Sequence, residues 1–401
     1  MNKAGWQSKP LAEVCQIKPP KAEARQRISG KELVSFVPME ALGIDQKVLV
    51  PTQTKPLEDV AGSYTYFADG DVLLAKITPC FENGKLGIAD SLTNGIGFGS
   101  SEYIVFRPSP AVDKEWLYYF LSRDSFRTEG AERMSGAVGH KRVSKEFIES
   151  YPIPVPPLPE QHRIVAILDE AFDGIATAKA NAEKNLQNAR ALFESHLQSV
   201  FTERGEGWVN STLGAVCTLR SGTTVSAKLE KPEGDFPYIK VADMNYEGNE
   251  SEIIGSSRFL NRDDIGKNTV LPAGTTIFPK RGGSILTNKK RLTAVPICAD
   301  LNIMGVIPGE KLLPEYLYFY FLNVDMRKIG SGSSIPQINN YDIEPLLISF
   351  PPERNAQKAI VRKFRSLSDE TQRLESLYQQ KLTALDDLKK SILHQAFSGL
   401  L

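Results

Sequence analysis

The sequence repeats itself over a long interval. Gly5-Trp6, Leu11 and Val14-Cys15 return as Gly207-Trp208, Leu213 and Val216-Cys217, each 202 residues later and without a gap. Phe36-Val37 matches Tyr238-Ile239 at the same interval, Asp71 to Lys76 matches Thr275 to Lys280 at 204, and Trp116 to Tyr119 matches Tyr316 to Phe319 at 200. Near the end of each copy Val143, Ile148-Glu149, Ile153 and Pro156-Pro157 fall 195 residues before Ile338, Ile343-Glu344, Ile348 and Pro351-Pro352. Gln161, Ile164-Val165, Ser195, Leu197 and Phe201 then fall 196 before Gln357, Ile360-Val361, Ser391, Leu393 and Phe397. Solenoid repeats have periods of roughly 20 to 50 residues, so this longer period means two copies of a whole domain with its connection. A pseudo-two-fold chain is expected, divided near Glu206.

At 401 residues each copy is long enough to bury its own core. Hydrophobic residues at 41% and charged residues at 24% are ordinary for a globular protein and argue against disorder. The first residues lack the apolar centre of a signal peptide, and no apolar run approaches the roughly 18 residues of a membrane span. A cytoplasmic protein with no membrane partner is expected. Cys15, Cys80, Cys217 and Cys298 form no CxxC pair and read as buried free thiols. His140, His162, His196 and His394 lie far apart with no HExxH, so no metal site is expected.

Formal net charge is zero, from 48 basic and 48 acidic residues, which removes any bulk polyelectrolyte argument for nucleic-acid binding. Local charge is uneven. Lys280 to Ala299 carries Lys280, Arg281, Lys289, Lys290 and Arg291 with no acid, and Gly139 to Lys145 carries His140, Lys141, Arg142 and Lys145. Both clusters sit among Gly, Ser and Asn, which suits loops that are either simply solvated or bind phosphate.

Each copy reads as a globular part followed by a long helix. Short β-branched and aromatic runs (Leu33 to Val37, Val72 to Ile77, Tyr103 to Phe106, Tyr238 to Val241, Thr275 to Phe278) are separated by Gly, Pro and Asn, which favours strands. Glu115 to Arg127 and Glu315 to Arg327 have helical spacing instead, so the fold class is α+β. Gly95-x-Gly97-x-Gly99 reads as a glycine-rich turn, since its spacing does not fit the dinucleotide fingerprint. Each globular part ends in a proline-studded segment, Tyr151 to Pro159 and Ile348 to Pro352, expected to be a stiff exit. The expected divisions are 1–155 and 207–350 for the globular domains, with helical segments at 156–206 and 351–401.

From Glu160 to about Phe201 there is no proline and one glycine, Gly174. Leu168, Ile175, Ala182 and Ala189 fall seven apart, with Phe172, Leu186, Phe193 and Val200 completing the seam and Lys179 as an exception. From Ala356 to about Phe397 the stripe is Phe364, Tyr378, Leu385 and Ile392 with Leu367, Leu374 and Leu388, interrupted by Thr371 and Lys381. Heptad spacing of this length marks a helix that packs lengthwise on another helix. Roughly 40 residues make a helix of about 60 Å. The chain must return between the two helices, so an antiparallel coiled coil with a globular domain at either end is the economical arrangement.

Catalytic signatures are missing. There is no GxxxxGK[ST], so ATP hydrolysis by a phosphate loop is not expected, and without that loop Leu168-Asp-Glu-Ala-Phe172 reads as a coiled-coil turn. An amino-methyltransferase acting on DNA would carry a proline pair followed by an aromatic ring to stack on the flipped base. The pairs here are Pro19-Pro20-Lys21, Pro156-Pro157-Leu158 and Pro351-Pro352-Glu353, and none fits. No catalytic residue is nominated, and the chain reads as a binder.

The order of these parts resembles the specificity subunit of Type I restriction-modification enzymes. The carrying residues are Pro157 to Val165 (Pro-Leu-Pro-Glu-Gln-His-Arg-Ile-Val) at the start of a long helix, Ser135 to Lys145 ahead of Ile153 to Pro157, and Gly97 to Tyr103. Their duplication extends the resemblance over essentially the whole chain. The resemblance implies a non-catalytic DNA reader. Two target recognition domains would each bind half of a split, asymmetric sequence, and two long helices would set the distance between halves. Modification subunits that methylate adenine, and restriction subunits that move along and cut DNA, would dock on it. S-adenosylmethionine, ATP and Mg would belong to those partners, with no cofactor in this chain.

Base edges are read by directional donors and acceptors, and phosphates need cations at the groove edges. The DNA-binding candidates are therefore Lys76, Lys85, His140, Lys141, Arg142 and Lys145 in the first domain. In the second they are Lys280, Arg281, Lys289, Lys290 and Arg291, with Gln337, Asn339 and Asn340 as base readers. Neutralising Lys289, Lys290 and Arg291 together is expected to weaken DNA binding without unfolding the protein. The second exit, Pro351 to Gln357, carries an insertion and lacks the Glu-Gln pair of the first, so equivalence there is in doubt. A self-contained nuclease or methyltransferase, and a coiled-coil adaptor without a DNA role, remain the alternatives.

Overall fold

The computed structural model describes residues 6–203, 205–266, 269–329 and 336–401; Gly5 of the repeat lies outside them. Two compact units result, Met1–Ala182 with Gln380–Leu401, and Glu183–Gln379. Each unit therefore contains one globular part and a portion of both long helices.

The first unit has a five-stranded sheet in the order Cys15–Ile17, Tyr103–Pro108, Val72–Ala75, Leu86–Ala89, Val48–Leu49. Val72–Ala75 is central, and every one of its four side chains is buried. Only the last pairing, Val48–Leu49 with Leu86–Ala89, is parallel. A four-stranded sheet follows the order Gln53–Pro56, Leu33–Val37, Ile96–Gly99, Thr65–Ala68, and its middle pair is parallel.

The second unit repeats the plan. Its five-stranded order is Cys217–Ser221, Ile303–Pro308, Thr276–Pro279, Arg291–Thr293, Glu252–Ile253, again with a parallel last pair. Its four-stranded order is Phe259–Leu260, Phe236–Ile239, Ile297–Ala299, Val270–Leu271, again with a parallel middle pair. The sequence echo is thus an echo of topology.

Glycines 97 and 99 lie in the strand Ile96–Gly99, and only Gly95, at φ 66°, is in the turn. A Cβ at Gly97 would stand 2.1 Å from the Phe67 ring, and one at Gly99 2.3 Å from the Val37 carbonyl. Close approach of neighbours, and not turn geometry, is what requires these two. The segment expected to be one helix from Glu115 breaks at Ser122-Arg123, giving Lys114–Leu121 and Asp124–Glu132. Arg123 turns extended there, and its Nε donates to the Phe120 carbonyl, replacing a helical partner.

The proline exits are strands. Pro152–Val155 pairs antiparallel with Gln7–Pro10, and Leu347–Phe350 with Val209–Thr212. Each copy is thereby closed on its own first strand before the long helix leaves. Those helices are Leu158–Glu203 and Arg354–Ser398.

At the first turn of each helix a fully buried glutamine performs the same task. Gln161 Oε1 accepts the Asp113 N–H at 2.8 Å, while Nε2 donates to the carbonyls of Ala111 (2.8 Å) and Pro156 (2.7 Å). Gln357 accepts from Leu313 N and donates to Lys311 and Pro351 in the same way. The insertion before Gln357 is absorbed ahead of this point, so the glutamine clasp is equivalent in both copies.

In the first unit Ile164, Val165 and Leu168 share a core with Leu393, Ala396 and Phe397, and the Phe397 ring lies 4.3 Å from that of Trp116. In the second, Leu197 shares a core with Val361 and Phe364, and Phe201 stacks on Phe364 at 5.7 Å. The start of one helix meets the end of the other in each unit, so they pack antiparallel. Burying such side chains contributes about 1.5–3 kcal/mol each.

The expected seam is mostly inside. Leu168, Ile175 and Phe364 are buried, and Phe172, Leu186, Phe193, Leu367, Leu374, Tyr378, Leu385 and Ile392 are half-buried. Leu388 is the correction, at 47% exposed. A straight helix drifts about 20° per heptad, which carries the buried face to Leu393, Ala396 and Phe397 instead. The polar interruptions are accommodated: Lys179 pairs with Asp386 at 2.6 Å, and buried Thr371 donates to the Leu367 carbonyl.

Candidate nucleic-acid interface

In the first unit the basic cluster forms a hairpin. Ser135 and Arg142 exchange backbone hydrogen bonds (3.1 and 2.9 Å), and positive φ at Gly136 (128°) and Gly139 (81°) closes the tip. Backbone bonds from Thr78 N to Lys141 O and from Val143 N to Lys76 O tie it to the residues after strand Val72–Ala75. Lys76, His140, Lys141 and Arg142 are thus brought together, and Val138 at the tip is 95% exposed.

Arg142 is not an open donor. Its Nε and Nη2 close on Glu102 at 2.9 and 2.8 Å, and Nη1 donates to the His140 carbonyl. Glu102 also lies 3.9 Å from Lys76 Nζ. The Arg142 hydrogen bonds, helped by the charges of Lys76, Arg142 and His140 against a burial cost, hold the Glu102 carboxyl below its ordinary range. Arg142 therefore braces the hairpin, leaving the exposed His140 and Lys141 side chains outward. Lys145, exposed at the start of helix Lys145–Ser150, pairs with Glu149 at 3.3 Å.

Lys85 stands apart from this group. Its ammonium donates to the carbonyls of Met39 (2.8 Å) and Leu42 (2.9 Å), fastening a loop.

The second unit builds the equivalent place differently. Lys280 N bonds Asn302 O, and Ile338 N bonds Lys280 O, as Lys76 does with Glu102 and Val143. Arg281 and Gln337 form a β-bridge. Lys280, Arg281, Gln337, Asn339 and Asn340 are therefore neighbours. The positions held by Glu102 and Arg142 in the first copy are held here by Asn302 and Gln337, so an ionic clamp has become a pair of amides. Lys280 Nζ donates to Ser221 Oγ at 2.7 Å, and burial followed by the Arg281 charge lowers its pKa. Gln337 Nε2 donates to Asn339 Oδ1, and Asn339 caps the helix Asn340–Ile343. Arg281 and Asn340 are exposed.

Lys289, Lys290 and Arg291 do not join them. Lys290 is 2% exposed, with Nζ on Asn288 Oδ1 (2.8 Å) and the Val324 carbonyl (2.7 Å). Burial pushes its pKa down to about 8, with Asp325 opposing and Arg327 reinforcing. Arg291 spends its guanidinium on the carbonyls of Asn249, Lys290 and Met244, and Lys289 bonds Asn245 Oδ1. These bonds count against the expectation of neutralising this triplet without unfolding the protein. The triplet pins strand Arg291–Thr293 to the preceding loop, and a linear run of cations carries no sign of which ones turn inward.

Lys18 and Lys21 are not among the residues that the sequence nominates. They line a groove of about 470 Å³ with Lys76, Lys145, Tyr64 and Tyr103. In the sequence they stand as Lys18-Pro-Pro-Lys21, two cations held apart by rigid residues. Among the described residues no group of His, Cys, Asp and Glu could hold a metal ion, and no helix is long and apolar enough to cross a membrane. The cysteines are free, and burial pushes Cys15 and Cys217 up to about 12 and Cys298 to about 11, so these thiols stay protonated.

Comparison with known proteins agrees with this geometry. A family model described as the Type I restriction modification DNA specificity domain matches residues 3–187 and again 205–384. The EcoAI specificity subunit of Escherichia coli is 39% identical over 163 residues, 40% of this chain and 27% of that one. The chain thus spans about a quarter of the length of that relative. The MjaIX specificity subunit of Methanocaldococcus jannaschii is 24% identical over 328 residues, 76% of this chain and 71% of that one. Among solved structures, a chain from a type I restriction-modification system superposes with a TM-score of 0.83 at 19% identity, covering all of both chains. The HsdS subunit of Thermoanaerobacter tengcongensis superposes at 0.65 and 18% identity, covering 100% of this chain and 98% of that one.

Proposed function

This chain belongs to the Type I restriction modification DNA specificity family, and on that premise we propose that it reads a bipartite, asymmetric DNA sequence for a restriction-modification complex. Residues 1–155 and 207–350 act as target recognition domains, each taking one half of the sequence. The helical segments 156–206 and 351–401 hold the halves at a fixed spacing and dock the modification subunits that methylate adenine. Restriction subunits join that assembly. S-adenosylmethionine, ATP and Mg serve the partners, and the whole works in the cytoplasm.

The observation that supports this reading best is the repetition of one topology with different chemistry at equivalent positions. Lys76, Glu102 and Arg142 in one copy correspond to Lys280, Asn302 and Gln337 in the other. Identical scaffolds carrying unlike polar groups suit two half-sites of unlike sequence. In the first copy His140 and Lys141 face the duplex; in the second Arg281, Gln337, Asn339 and Asn340 do.

The test is genetic. Deleting the gene in its host and mapping adenine methylation is expected to erase the mark at one split sequence. An unchanged map overturns the proposal.

A further inference from the structure

The groove in the first unit has a charge imbalance that its neighbours do not relieve. Lys76 leans toward Glu102 and Lys145 pairs with Glu149, but Lys18 and Lys21 have no carboxylate partner among the described residues. Lys21 Nζ donates to the Gly62 carbonyl at 2.8 Å and keeps its remaining protons free. Its pKa is lowered by burial and then by repulsion from Lys18 and Arg25. Like charges are being held together.

Lys18 occupies the left-handed region at φ 58°, a conformation strained for an L-residue other than glycine. A hydrogen bond from its N–H to the Val105 carbonyl at 2.8 Å fixes it there. Pro19 and Pro20 stiffen the step to Lys21, and both lysines line the groove.

The second copy provides an internal comparison. Arg220 is the equivalent of Lys18, since it pairs with Gly305 where Lys18 bonds Val105. It has no positive φ, and its Nη1 is spent on the Val270 carbonyl at 2.8 Å. Asn340 stands in place of Lys145, and Lys280 is bonded to Ser221. Among the described residues, the positions equivalent to Lys18, Lys76 and Lys145 thus offer no free ammonium group in the second copy.

We propose that the groove formed by Lys18, Lys21, Lys76 and Lys145 grips the sugar-phosphate backbone of duplex DNA without regard to sequence. The second copy lacks that grip. The second copy contributes Arg281 and neutral polar groups instead, so the two halves of the target are held with unequal charge. This rests on the reading of the chain as a DNA specificity subunit and adds an electrostatic asymmetry to it.

The test uses the full chain and a short duplex of arbitrary sequence, with affinity measured across a salt series. Each phosphate contact contributes roughly 0.9 to the slope of log affinity against log salt. Lys18→Gln alone is expected to reduce the slope by about 0.9 and Lys18→Gln with Lys21→Gln by about 2, while Arg220→Gln leaves it unchanged. Lys18 makes no side-chain bond within the described residues, so its single variant reports binding without a folding change. An unchanged slope for both lysine variants, or an equal loss for Arg220→Gln, overturns the proposal. Saturable displacement of the duplex by inorganic phosphate, beyond its ionic strength, would mark a small-anion site and also overturn it. A chain that fails the methylation test yet shows these slopes would refute the proposed function and leave the groove's role standing.

Discussion

Replacing Gln161 probes how each copy holds its long helix. The side chain is fully buried and makes three hydrogen bonds of 2.7–2.8 Å, to Asp113 N, Ala111 O and Pro156 O. Gln161→Leu keeps the volume nearly constant and leaves all three backbone groups without a partner. A buried unsatisfied group costs about 1–3 kcal/mol, and water can reach the less buried of these. A loss of about 3 kcal/mol is therefore expected, read from the urea midpoint of the first unit's unfolding. Gln161→Glu sharpens the test. One carboxyl oxygen can still accept from Asp113, but the other meets two carbonyls and must carry a proton. The folded-state pKa is then raised, so the variant is most stable below the ordinary glutamate range and loses stability as pH rises through its folded pKa. Gln357→Leu should cost the second unit the same amount. A Gln161→Leu protein within about 0.5 kcal/mol of the parent, or a Gln161→Glu protein indifferent to pH, would refute the clasp.

Leu186→Pro or Leu385→Pro is expected to cost about 3 kcal/mol or more, since proline removes a helical bond and clashes with the preceding turn; a normal thermal transition with full partner assembly would contradict it. Lys290 has its pKa lowered to about 8 by burial, so its penalty is fully present below pH 8 and is relieved as pH rises toward the unfolded value. The parent should gain about 3 kcal/mol relative to Lys290→Met across that window, measured by denaturation at each pH, and parallel curves would refute this. Glu102→Gln releases one side of the Arg142 clamp and should speed amide exchange at Ser135 and Arg142. Falling pH through the depressed Glu102 pKa should lower the protection factors of the same amides, after correction for intrinsic exchange, in the parent. Equal exchange would mean that the hairpin is held by its backbone alone.

Much of the architecture is legible in the amino-acid sequence. The matched segments are strands and short helices in the same order in both copies, and the heptad stripes are two antiparallel helices, because periodicity and turn residues are local properties. What was illegible depends on where a side chain ends in space. Lys85, Lys290 and Arg291 look like surface cations in the sequence, yet their donors close on carbonyls that lie far along the chain. Leu388 fits the heptad but not the slow rotation of the helix. Gly97 and Gly99 were read through turn chemistry, when the crowding by Phe67 and Val37 that requires them comes from neighbouring strands. Lys18 and Lys21, two lysines flanking a proline pair, are close in the sequence, but the groove they line with Lys76 and Lys145 is formed only by the fold.

Two copies that each read one half of a split sequence make the most direct demand on a methylation map. In cells carrying Gln337→Ala with Asn340→Ala, both in the second copy, the methylated sequence should relax in one half and keep the other half and the spacing unchanged. Relaxation of both halves together, or a shifted spacing with both halves intact, would contradict independent reading by the two domains.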